Sequence, residues 1–130
     1  MCDKIKKIEE LTLHKTKCVA FTELLVAALD VSKEGLAILD EDGKYIFLNK
    51  AHEEMFGYDE GELEGQSWRV LYTEGQVKWF QENAFVDLKE NGWWSGEKTA
   101  IHKDGSKVNQ KVYLTALPNG GLVCTCIKMN

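Results

Sequence analysis

Hydrophobic positions change their period along the chain. In the first thirty residues they fall three and four apart: Ile5, Ile8 and Leu11, then Val19, Phe21, Leu24, Leu25, Val26 and Ala28. That spacing predicts helix. Leu11, Cys18 and Leu25 repeat at seven, as do His14, Phe21 and Ala28. The pattern fits a helix packed on its own domain and a dimer helix equally well. Two short apolar runs follow, Gly35 to Asp40 and Tyr45 to Asn49, around Glu41-Asp42-Gly43-Lys44. They predict a β-hairpin. Each strand is apolar on both faces, whereas a half-exposed hairpin would alternate with polar residues. The expectation is that the N-terminal helix covers the second face.

The helical period then returns. Asn49 is placed to cap Lys50 to Phe56, and Gly57 to close it. Asp59 to Glu62 reads as a capping box opening a second short helix, with Tyr58 and Leu63 as its hydrophobic staple. Ser67 caps a turn through Leu71. Thr73 to Gln76 opens the longest helix of the middle segment, Glu74 to Glu90, with Val77, Phe80, Ala84 and Leu88 on one face and Phe85 widening the stripe. Three strands complete the chain: Trp94–His102, Lys107–Leu117 and Leu122–Met129, joined by turns at Lys103-Asp104-Gly105-Ser106 and Pro118-Asn119-Gly120-Gly121. Hairpins with helices gathered between them make an α+β domain rather than a parallel α/β sheet.

Composition narrows the class. The chain has 130 residues, of which 44% are hydrophobic and 28% charged, which fits one soluble globular domain. Its formal charge of −5 argues against gripping phosphate backbones, so no nucleic-acid partner is expected. Cys18 to Val31, the most apolar stretch, contains Glu23 and is too short for a membrane span. With no secretory leader in the sequence and only four cysteines, a reducing, cytoplasmic compartment is expected.

Five fragments, in order, resemble the PAS domain, a sensory module of signalling proteins. They are the hairpin Gly35 to Asn49; Met55-Phe-Gly-Tyr58 with Glu62-Leu-Glu-Gly65; Gly65-Gln-Ser-Trp-Arg-Val-Leu-Tyr72; Asn91-Gly-Trp-Trp-Ser-Gly-Glu97; and His102-Lys-Asp-Gly-Ser106. The resemblance covers about Leu29 to Lys128. Residues 1–28 are then a flanking helix and 29–130 the PAS domain. It implies a five-stranded antiparallel sheet with helices packed on one face and a cavity between sheet and long helix. It also implies signalling through flanking helices to an effector such as a histidine kinase, often within a dimer.

The same resemblance frames the cofactors. Photoadduct-forming flavin domains carry a cysteine where Trp68 stands and an asparagine where Ser67 stands, so a covalent FMN adduct is disfavoured. Haem is disfavoured because Glu74 to Glu90 contains no histidine. A non-adduct flavin, FAD, stays a minor alternative: Phe85 and Ala100 replace the tryptophan and asparagine such domains tend to carry. Cys124 and Cys126 read as core thiols, and no metal site is expected. No nucleophile–base order or phosphate loop is present, so no catalytic residues and no enzyme activity are expected. Two function classes remain: a ligand-responsive sensor and a constitutive interaction domain whose cavity its own side chains fill.

Alternation puts Leu36, Ile38, Phe47, Val112 and Leu114 on the inner sheet face, with Ala37, Leu39, Ile46 and Leu48 outside. The candidate ligand site adds Asn49, Phe56, Trp68, Phe80, Ala84, Phe85 and Leu88. A homodimer through the N-terminal helix is expected, with Ile5, Ile8 and Leu11 reaching beyond their own domain.

Overall fold

The computed structural model of the chain describes residues 15–129. The leader positions Cys2, Ile5, Ile8, Leu11 and His14 lie outside the described residues. The described chain opens with α1 (Lys15–Asp30), followed by β1 (Gly35–Leu39), β2 (Tyr45–Leu48) and α2 (Lys50–Phe56). A 3₁₀ turn (Trp68–Leu71), α3 (Glu74–Trp79), a π-turn (Phe80–Ala84) and α4 (Phe85–Asn91) come next. Strands β3 (Trp93–Ile101), β4 (Lys107–Ala116) and β5 (Leu122–Lys128) end the domain. All pairings are antiparallel, in the order β2-β1-β5-β4-β3, so the two terminal strands β1 and β5 meet at the centre. This is the expected α+β arrangement.

The core lies between the sheet and α2, the π-turn and α4. Strand β4 shows the alternation cleanly: Val108, Gln110, Val112 and Leu114 are buried and the residues between them are not. The hairpin corrects the sequence reading. Ala37 and Leu39 point into the core, while Leu36 and Ile38 are only half-buried on the opposite face. Leu48 is likewise buried, and Phe47 lies outside with Ile38, its cross-strand partner. Strand β1 alternates regularly but turns the other face inward, and β2 adds a bulge. Ile38 pairs with Phe47 but Leu39 pairs with Tyr45, leaving Ile46 as the extra residue. Tyr45 and Leu48, three apart, therefore both face inward. Period-two reasoning on a strand apolar on both faces has two solutions, and nothing in the local pattern chooses between them.

Two other expectations change. Residues 59–66 form turns rather than a helix. The reciprocal half of the capping box is present, Asp59 N donating to Glu62 Oε1 at 3.0 Å, but Gly61 (φ 77°) and Gly65 (φ 81°) break the run. Helix α1 does not cover the outer sheet face: Phe21, Leu24 and Leu25 are at least half exposed. Ile46, Trp93, Tyr113 and Ile127 on the helix-free side of the sheet are exposed too. No described helix is long and apolar enough to cross a membrane.

Candidate functional site

A small cavity lies between the sheet and the α3–α4 segment. Its floor is Val112 and Leu114 of β4, and its wall is Trp68, Phe80 and Phe85. These five are the expected site residues that the fold brings together. Leu39, Tyr45, Tyr72, Leu122 and Cys124 complete the lining. Sequence reasoning missed them: Leu39 because a strand apolar on both faces leaves its inner face undecided, Tyr45 because its strand carries the bulge, Tyr72 because it lies just past a 3₁₀ turn with no period. Leu122 and Cys124 needed the β1–β5 register, in which Leu39 pairs with Leu122 and Ala37 with Cys124.

Seven expected residues sit elsewhere. Leu36, Ile38 and Phe47 are on the far side of the sheet. Ala84 is fully buried in the core but does not line the cavity. Leu88 lies on an outer groove beside Phe85 and the Asp40–Gly43 turn. Phe56 is buried against His52, ring centroids 4.7 Å apart.

Asn49 is the seventh, and it is a structural junction. Its Oδ1 accepts from Leu36 N at 2.8 Å and from His52 N at 3.0 Å, the latter being the α2 N-cap. Its Nδ2 donates to Leu29 O at 2.9 Å and Glu34 O at 3.0 Å. One buried carboxamide thus ties the end of α1, the linker, β1 and α2 together, using four of its hydrogen-bonding positions. Asp30 adds a second tie, its Oδ1 accepting from Lys50 N at 2.8 Å.

The cavity is lined with aromatic edges. Trp68 meets Phe80 and Phe85 edge-on at 5.5 and 5.2 Å, and Tyr72 meets Phe80 at 4.9 Å. Such geometry sets the ring quadrupoles favourably. Gln110, the polar residue on an otherwise apolar inner row, is buried because its Nε2 donates to the Tyr72 hydroxyl at 2.7 Å. Burial pushes the Tyr45 and Tyr72 phenols up, so both stay neutral. Cys126 is held protonated by its hydrogen bond with Cys124 and by burial. At about 30 Å³ the cavity holds roughly one water.

A polar cleft opens beside it, at the other end of the Gln110–Tyr72 bond. Gln76, Lys98 and Gln110 line it from the inner face, with Glu97, Thr99 and Asn109 at the rim. The Lys98 ammonium lies 3.8 Å from the Trp79 ring centroid and 5.6 Å from that of Phe80. It makes no ion pair among the described residues, and burial lowers its pKa.

Comparison with known proteins places this architecture. The PAS domain family model matches residues 33–127. No curated protein matches the chain. Among solved structures, a PAS domain from Colwellia psychrerythraea superposes with a TM-score of 0.76 at 21% identity, covering 84% of this chain and 97% of that one. The PAS domain of a LuxR-family transcriptional regulator from Burkholderia thailandensis, solved in complex with ethanol, gives 0.73 at 18% identity, covering 79% and 95%. A domain of a sensor histidine kinase/response regulator from Geobacter sulfurreducens gives 0.67 at 20% identity, covering 81% and 91%. At these identities the structural likeness speaks for the fold. The family match spans most of the sequence, and with it the chain belongs to the PAS domain family.

Proposed function

We propose that the chain is the cytoplasmic, non-enzymatic sensory module of a signal-transduction protein, of the two-component kind. A small molecule enters between the sheet and the α3–α4 segment, and α1 passes the change to an effector such as a kinase. The observation that carries this reading is the Asn49 junction. Its buried side chain bonds at once to α1, β1 and α2, so a shift of the helices on the sheet reaches Leu29 through hydrogen bonds. The ethanol complex of the Burkholderia regulator domain and the kinase context of the Geobacter domain support the same reading.

The module works as a homodimer. The exposed Phe21, Leu24 and Leu25 of α1, and Trp93, Tyr113 and Ile127 on the bare sheet face, are more apolar surface than a monomer keeps in water without consequence. A second reading, a constitutive dimerisation domain whose core is filled by its own rings, is favoured by the small cavity volume. A thermal-shift screen of small molecules, followed by amide hydrogen exchange across residues 20–30 with each hit, separates the two. The sensory reading expects a stabilising hit that changes α1 exchange severalfold. Hits that leave α1 untouched, or no hits, favour the constitutive reading.

A further inference from the structure

Phe80 and Phe85 both face the cavity, although they are five residues apart. In an α-helix each residue turns about 100°, so five residues place side chains roughly 140° apart. The π-turn removes that offset: Phe85 N–H bonds to the Phe80 carbonyl, five residues back. The filled core therefore depends on one extra residue held in the helix. The two flanks are not equally fixed. Helix α4 is pinned by buried Leu88 and by the left-handed stop at Gly92, whereas α3 has no fully buried residue and meets the core only through half-buried Val77 and the Trp79 ring against Trp94. If the turn relaxes to α, α3 is the flank that rotates, and it carries the Phe80 ring out of the core.

The space left would have a definite chemistry. The Phe80 ring is the hub of its cluster, with Trp68, Tyr72, Phe85 and Trp94 at centroid distances of 5.5, 4.9, 6.0 and 5.7 Å. Its withdrawal would leave a slot the size of one aromatic ring, open to the existing 30 Å³ cavity. An apolar cavity of roughly 150 Å³ accepts benzene, which the resting one cannot. One side of the slot carries the Lys98 ammonium, 5.6 Å from the departing ring. Glu97 lines the same cleft, but the two form no ion pair.

We propose that the π-turn is a latent ligand site: its relaxation to α exchanges the Phe80 ring for a monocyclic aromatic carboxylate, whose ring stacks in the aromatic cluster and whose carboxylate pairs with Lys98. This rests on the sensory reading above and names its ligand class. The resting π state reduces apparent affinity by the fraction of chain that is relaxed, so removing the Phe80 ring removes that penalty.

The test uses the full chain with benzoate and, as the neutral counterpart, benzyl alcohol, titrated by calorimetry. Phe80→Ala is expected to bind benzoate at least tenfold more tightly than the wild type. Adding Lys98→Met is expected to weaken benzoate at least tenfold and leave benzyl alcohol unchanged. A folded Phe80→Ala chain that binds neither probe, or binds benzoate equally with and without Lys98, overturns the proposal. Should Phe80→Ala not fold, amide NMR of the wild type decides. Millimolar benzoate should shift the Phe80–Phe85 amides most, and no shift there overturns the proposal. A thermal-shift hit of another chemical class alongside a negative benzoate result sinks this inference and leaves the sensory reading standing; no hit of any class sinks both.

Discussion

His52 offers a prediction whose magnitude follows from its burial. The imidazole is 2% exposed, packed edge-on to Tyr45 at 5.7 Å and against Phe56 at 4.7 Å, and its Nδ1 has no hydrogen-bond partner among the described residues. Burial pushes its pKa down from 6.5 to about 4. The charged form is thus disfavoured in the folded state and free in the unfolded one. Stability from neutral His52 is fully present above pH 6.5 and is lost as pH falls from 6.5 through about 4. A shift of this size corresponds to about 3 kcal/mol, a large share of a domain's ~5–15 kcal/mol. The assay is urea unfolding of the wild type and His52→Leu at pH 7.5, 6, 5 and 4.5. Leucine keeps nearly the same volume, adds no charge and leaves no unpaired nitrogen. The buried Glu53 carboxyl, raised by its own desolvation, titrates in both proteins and cancels in the comparison. The wild type should lose about 2–3 kcal/mol more than His52→Leu between pH 7.5 and 4.5. Stability curves that stay parallel within about half a kcal/mol would refute a neutral, buried His52.

Three further changes probe the scaffold. Asn49→Ala strands four backbone groups and should cost about 3–5 kcal/mol in urea unfolding, with faster hydrogen exchange in the last turn of α1; a loss under 1 kcal/mol would mean that the junction is not a structural tie. Gly35→Ala puts a methyl 2.8 Å from Cys126 Sγ and 3.2 Å from the His52 backbone, where β1 crosses α2, and should cost about 1–3 kcal/mol by thermal or urea unfolding; a neutral result would show that these elements can part freely. Tyr72→Phe leaves the buried Gln110 amide without its acceptor and should cost about 1–2 kcal/mol; an unchanged urea midpoint would show that water replaces the phenol.

Much of the fold was legible because its signals are local. Asn49 and Gly57 cap α2 as their residue types foretell, with Gly57 in the left-handed region at φ 78°. The Asn-Gly turn before β5 and the alternation of Val108 to Leu114 needed no tertiary information. The site was legible only in part. Trp68, Phe80 and Phe85 could be placed by helical and turn periodicity. Leu39 and Tyr45 could not, because which face of an apolar strand turns inward, and where its partner bulges, are settled by pairing and packing rather than by local pattern. The single long helix expected over Glu74 to Glu90 is interrupted by a π-turn, since burying Phe80, Ala84, Phe85 and Leu88 together outweighs regular hydrogen bonding. That competition is settled by packing against Trp68 and Trp94, which a one-dimensional pattern does not contain. Likewise, the apolar stripe of α1 read as a cover for its own sheet, and in the structure both surfaces stay bare.

Those two bare surfaces are where the proposed homodimer would form, through α1 and the open sheet face. Sedimentation velocity of the full chain from 1 to about 100 µM, beside the double variant Leu24→Ser and Leu25→Ser, addresses it most directly. Each well-buried leucine contributes ~1.5–3 kcal/mol, so the four lost across a dimer exceed what a modest interface can spare. The expected result is a wild-type dimer at tens of micromolar and a folded, monomeric variant with an unchanged circular-dichroism spectrum. A wild type that stays monomeric throughout, or a variant that dimerises as well as the wild type, would contradict it.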